Sequence, residues 1–165
     1  MADKSITERL QPSLLDRLTD NAPGERTERR EERVIDLRKL REIVQRDLSW
    51  LLNTSDNAKL FDAKRYPNVA RSVLNYGIRE VAGDYSTAER AEIIRRSIAE
   101  AIRDFEPRLH AGSVEVRMRN EVSSGTTLVS YDIVADMWAQ PLPMELYLRS
   151  EVDVTTGQTD LKRMN

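Results

Sequence analysis

RDFEPRLHAGSVEVRMR, residues Arg103–Arg119, joins two different periodicities. Upstream, in AERAEIIRRSIAEAIRDF (88–105), the residues Ala91, Ile94, Ile98, Ala101, Ile102 and Phe105 recur at three- and four-residue steps. That spacing predicts a helix with one buried face. Pro107 has no N–H to donate and pushes the residue before it out of the helical region, so the helix should stop there. Past Gly112 the period falls to two. Val114, Val116 and Met118 alternate with Glu115, Arg117 and Arg119, the pattern of a half-buried strand.

The alternation continues downstream. TLVSYDIVADMWA (127–139) places Val129, Tyr131, Ile133, Ala135 and Met137 on one face, after a turn at SSG (123–125). MELYLRSEVDVTTG (144–157) does the same with Met144, Leu146, Leu148, Val152 and Val154, after a turn at QPLP (140–143). Short connections between successive strands favour an antiparallel meander with one wet face. Upstream the chain reads as helical. Leu10, Leu14, Leu15 and Leu18 form a short cluster that Pro12 and Ser13 open and Asn21, Pro23 and Gly24 close. The alternating charges of ERTERREER (25–33) read as a solvated lead-in.

The strongest helix follows, with Val34, Leu37, Leu40, Val44, Leu48 and Leu51 in one stripe, widened by Ile43 and Leu52. Asn53 is suited to end it in a left-handed cap. A further short helix is expected over 69–77, capped by Asn68, with Val69, Val73 and Tyr76 inward and Gly77 at its end. Ser86 with Glu89 fits a capping box for the helix over 88–105. The expected fold is α+β, with N-terminal helices followed by a three-stranded antiparallel β-sheet. Residues 1–24 read as an extension with a short helix, and residues 25–165 as a single domain.

Composition narrows the chemistry. The net charge is −2 and there is no cysteine. No global field draws the chain to nucleic acid, and thiolate metal sites, disulfides and cysteine nucleophiles are excluded. A single histidine and scattered carboxylates give no metal-ligand spacing, and no nucleotide-binding glycine motif is present. No catalytic residue, metal or cofactor is therefore expected. The first ten residues, MADKSITERL, lack the apolar run of a signal peptide, so a cytoplasmic setting without membrane insertion is expected.

The turn itself, Glu106, Pro107 and Arg108 with His110 beyond, admits two readings. A general acid of a glycoside hydrolase would need Glu106 and a second carboxylate, such as Asp104, Asp132 or Asp136. Arg108, two residues away, favours the ionised carboxylate, whereas such an acid must hold its proton at neutral pH. The other reading is a rigid charge pair, closed on itself, on the long helix or on a partner chain, for which arginine's fork geometry is suited. The long third strand offers a second candidate surface, since an exposed edge can accept a strand from a partner.

Four motifs in order, PSLLDRLTD (12–20), LREIVQRDLSWLLNT (40–54), YPNVARSVLNYG (66–77) and FEPRL (105–109), resemble the TssE family. These are baseplate subunits of the bacterial type VI secretion system, related to the "lysozyme-like" wedge proteins of contractile phage baseplates. The resemblance runs from about residue 10 to about residue 160 and is carried chiefly by RDLxxLLNT and Glu-Pro-Arg. It implies a non-enzymatic subunit in the cytoplasmic baseplate, docked on the inner-membrane complex, beside TssF and TssG and near TssK. It further implies strand exchange with the sheath proteins TssB and TssC. Glu106, Pro107 and Arg108 take the place of the family's assembly motif. Met144, Glu145, Leu146, Tyr147, Leu148 and Arg149 become the candidate sheath-contacting strand. Peptidoglycan hydrolysis through Glu106 is the alternative.

Overall fold

The computed structural model describes residues 12–20, 23–24, 35–80, 88–119, 127–138 and 144–164. The helices are α1 (Leu14–Leu18), α2 (Leu37–Leu52), α3 (Pro67–Ala70) and α4 (Ala88–Phe105). Single 3-10 turns occupy Ala58–Leu60, Val73–Asn75 and Ala111–Ser113. The strands are β1 (Glu115–Met118), β2 (Leu128–Met137), β3 (Met144–Asp153) and β4 (Thr159–Arg163). Leu10, Asn21, the lead-in over 25–33, Val34, Ser86 and the turns at 123–125 and 140–143 lie outside the described residues.

The chain forms two compact units, Met1–Arg46 and Asp47–Asn165, and the division falls inside α2. In the first unit, Ser13 caps α1, its hydroxyl accepting from the Asp16 N–H. Leu14, Leu15 and Leu18 are all exposed. A helix of five residues cannot hold itself. A bidentate ion pair holds this one, with the Arg46 guanidinium donating to both oxygens of Asp16, at 2.5 and 3.1 Å. Along α2 the spacing is borne out: Leu40, Ile43, Val44, Leu48, Leu51 and Leu52 are buried.

The second unit is α+β, as expected, but its sheet has four strands rather than three, in the antiparallel order β1-β2-β3-β4. The missed strand TDLKR has one large apolar residue, Leu161, so its alternation carries almost no signal. The hairpin before it is closed by Asp153, whose carboxylate accepts from the Thr155 N–H at 2.8 Å, and by Gly157 at φ 77°. The inner face of the sheet buries Val116, Val129, Tyr131, Ile133, Ala135, Met137, Leu146, Leu148 and Val152. Helix α4 buries Ala91, Ile94, Ile98, Ala99, Ala101 and Ile102. The Tyr131 hydroxyl donates to the Ala91 carbonyl at 2.9 Å, so the largest core side chain also ties sheet to helix. Phe105 is only half-buried and meets Tyr76 edge-on, the ring centroids 5.4 Å apart.

Two local expectations fail. Asn53 has no left-handed backbone. It ends α2 with its side chain, donating to the Ser49 and Thr159 carbonyls and accepting from the Thr159 N–H, at 2.8, 2.9 and 2.9 Å. The helix expected over 69–77 is two separate turns, and α3 starts with Pro67 in its first turn, with Tyr66 and not Asn68 at the cap. Ser72 breaks the run by accepting from the Leu74 N–H, and Asn75 donates to the Ala70 carbonyl at 2.9 Å. Polar side chains here replace helical backbone bonds. Val73 is consequently 80% exposed rather than inward.

Gly77 follows at φ 129°. Its neighbour Ile78 pairs in parallel with Ser55, its N–H donating to the Thr54 carbonyl and its own carbonyl accepting from Asp56, both at 2.8 Å. A methyl group on Gly77 would collide with that same Thr54 carbonyl. We expect Gly77→Ala to destabilise the chain by about 3 kcal/mol, from the positive φ and the clash together, measured as a drop in the urea midpoint. In the first unit, hydrogen bonding to Arg46, against an opposing effect of burial, holds Asp16 down to about 2. Its folded value lies below its ordinary one, so the Arg46 link stabilises fully above about pH 4 and is lost as pH falls through about 2. An NMR titration of the Asp16 carboxyl should return to the ordinary carboxylate range in Arg46→Gln.

Candidate functional site

Helix α4 ends at Phe105, and the Glu106 N–H still donates to the Ile102 carbonyl at 3.0 Å. Pro107 then turns the chain. The Arg108 carbonyl accepts from the Trp138 N–H and the His110 N–H donates to the Asp136 carbonyl, both at 2.8 Å, while Leu109 bridges Met137. The turn is thus stitched along the end of β2. It positions Leu109 in the core and leaves Pro107 exposed.

Glu106 is 4% exposed, which makes it the one buried acid among the described residues. Its Oε1 accepts from the Arg108 N–H at 3.0 Å and from Arg108 Nε at 2.7 Å, and its Oε2 accepts from Nη2. The same Nη2 donates to Asp47 Oδ2 on α2 at 2.8 Å. Arg108 therefore closes on its own turn and on the long helix, through that helix's acid rather than its arginines. Burial alone would lower the Arg108 pKa, but the hydrogen bonds and charges of Glu106 and Asp47 outweigh it and hold the guanidinium above its usual range. Tyr76 borders the group: burial, and then the Asp47 and Glu106 charges, push its phenol up.

This arrangement is suited to clamping. Both oxygens of Glu106 accept from Arg108, which holds the side chain in the turn. Two of the acids considered as its catalytic partner are engaged elsewhere, Asp104 with Arg71 and Asp132 with Arg149, each at 3.2 Å. Among the described residues no three His, Asp or Glu side chains converge as metal ligands. No helix among them is long and apolar enough to cross a membrane.

Sequence reasoning missed two members of the site. Asp47 sits on the polar side of α2 and carries no local mark. Trp138 extends the alternation of β2 onto the wet face and is 61% exposed. Its ring stacks on His110 at 4.2 Å and 27°. A large aromatic at a wet position is a signal the sequence does contain.

The second candidate surface, Met144–Arg149, lies on β3, which β2 flanks over its whole length. Strand β4 covers β3 only at Leu148–Val152, with one further bond from the Met164 N–H to the Tyr147 carbonyl at 3.1 Å. Tyr147 therefore faces β4. Glu145, two residues earlier, points its N–H and carbonyl to the same side, beyond the last pairing with β4 among the described residues. The opposite edge, β1, is partly blocked. Arg103 donates to the Val114 carbonyl at 3.0 Å and Arg95 to the Val116 carbonyl at 3.2 Å, which occupies two of the acceptors that an added strand would use.

Removing the clamp's cation while leaving its buried anion should be costly. We expect Arg108→Ala to lower stability by about 3 kcal/mol. The double change Glu106→Gln with Arg108→Ala should cost less than the sum of the two single changes, since the uncompensated charge is gone. Urea unfolding of the four proteins closes the cycle.

The profile of one family, described as Baseplate wedge protein gp25, matches residues 38–142. No match was found to a curated protein or to a solved structure. The matched span covers α2, α4, the Glu106–Arg108 clamp, β1 and β2, and so includes every residue of the clamp. The chain belongs to the baseplate wedge protein gp25 family, the family of TssE, and its role is that of a structural baseplate component.

Proposed function

We propose that this chain is the TssE-type subunit of a type VI secretion baseplate, without catalytic activity. It joins the wedge proteins TssF and TssG, near TssK, through the turn at Glu106, Pro107 and Arg108. It starts the sheath of TssB and TssC from the open edge of its sheet. Residues 1–24 are then an extension of the baseplate domain over 25–165. The assembly sits in the cytoplasm, docked on the inner-membrane complex.

The observation that carries the sheath reading is the inequality of the two edges. Native sheets blunt exposed edges to avoid unwanted pairing. Here α4 arginines blunt part of β1, while Glu145 lies beyond the stretch of β3 that β4 pairs with. Within the candidate strand Glu145 accepts the partner strand, and Met144, Leu146, Tyr147, Leu148 and Arg149 anchor it in the sheet. At the turn, Glu106 and Arg108 act from inside. They fix the backbone, and the partner meets the surface that this backbone holds in place.

Proline at Glu145 removes the N–H that faces the open side and no bond to β2. We expect Glu145→Pro to keep its circular dichroism spectrum and its co-purification with TssF and TssG, and to lose sheath assembly by TssB and TssC. Normal sheath assembly by this variant would discard the edge. The wedge reading stands separately on co-purification of the wild-type chain with TssF and TssG from its own cells, and a wild-type chain that comes down alone would end it.

A further inference from the structure

Much of the outer face of the sheet carries its charges in matched sets. Asp132 meets Arg149 across β2 and β3 at 3.2 Å, Glu151 meets Lys162 at 2.9 Å, Asp160 meets the same Lys162 at 3.1 Å, and Glu115 meets Arg117. Asp153 is engaged by the Thr155 N–H of its turn. At the β2 end, however, Asp136 stands directly opposite Glu145. The Asp136 carbonyl is turned towards His110, and the Glu145 backbone faces away from β2. This is a non-hydrogen-bonded pair, the kind in which facing side chains come closest. Like charges in that position repel. Among the described residues neither carboxylate has an ion-pair partner.

Trp138 lies two residues further along β2, on the same face. One side of its indole rests on His110, and the ring is nevertheless 61% exposed. An open aromatic face beside two uncompensated carboxylates matches one kind of group, an organic cation that is flat enough to stack and carries several donors. A metal ion has no use for the indole. An ammonium could take the charge but not the stacking. A guanidinium does both.

We propose that this end of the sheet, formed by Trp138, His110, Asp136 and Glu145, is a docking surface for an arginine presented by a partner protein. The guanidinium lies on the open face of Trp138 and donates to Asp136 and Glu145, compensating a pair of like charges that the fold sets opposite one another. The Glu106–Arg108 clamp contributes by fixing the backbone that carries His110 and holds Trp138. The inference rests on the reading of this turn as the docking element of a baseplate subunit.

The test uses the full chain, isotopically labelled, titrated with hexa-arginine, hexalysine and hexaglutamate peptides. NMR follows the indole N–H signals of Trp138 and Trp50, the chain's two tryptophans, with Trp50 as internal reference. Hexa-arginine should shift the Trp138 signal selectively, hexalysine should bind several-fold more weakly, and hexaglutamate should not bind. The isosteric pair Asp136→Asn with Glu145→Gln, which removes the repulsion and keeps the fold, should raise the Kd for hexa-arginine about tenfold. Trp138→Phe, whose thermal melt verifies folding independently, should weaken hexa-arginine more than hexalysine. Equal binding of the two basic peptides, equal shifts at both tryptophans, or an unchanged Kd in the carboxamide variant would overturn the proposal. Such a failure alongside intact wild-type co-purification with TssF and TssG removes only this surface. Loss of the wild-type co-purification removes the baseplate reading beneath it.

Discussion

The Arg108 guanidinium is the point on which the second unit turns. It reaches back to Glu106 at the end of α4 and across to Asp47 on α2. A carboxylate as buried as Glu106 is tolerable only because its oxygens are filled, and the guanidinium fills both of them. The backbone between acid and arginine is held by proline, and the residues just beyond are bonded to the last residues of β2. One ionic group therefore ties the end of α4, the middle of α2 and the chain that leads into the sheet to one another. The core alone would leave this choice loose, because apolar contacts are not directional.

The helical layer and the first three strands were legible because their apolar residues keep strict periods. Ile94, Ile98 and Ile102 have no choice of face in a helix, nor do Val129, Tyr131 and Ile133 in a strand. The losses have a common cause: structure there is specified by polar side chains acting at a distance. Asn53 ends α2 by binding the backbone of a residue 106 positions away. Asp47 meets Arg108 across 61 positions. Ser72 and Asn75 dissolve a helix that residue types alone would extend. The strand β4 is held by pairing with β3 and by one buried leucine, and neither leaves a period to read.

The candidate site shows the same division. That an acid, a proline and an arginine form a stiff turn was evident from composition. That both charges point inward, and that a tryptophan and a histidine are what the turn presents, followed only from the geometry. The family could be recognised from motifs spread over the chain, and two of these motifs contain the members of the clamp, Asp47 in one and Glu106 with Arg108 in the other. Motifs of this kind advertise a scaffold more clearly than the surface it supports.

The partly blocked β1 edge has one further meaning. A sheet with two free edges can add neighbours on both sides and so propagate. With the Val114 and Val116 carbonyls taken by Arg103 and Arg95, this side of the sheet is a poorer acceptor of a further strand. In the vocabulary of polymer chemistry, a unit with one side so blocked tends towards the monofunctional. Under the strand-exchange proposal, it begins an array of paired strands or ends one rather than sitting in the middle of it.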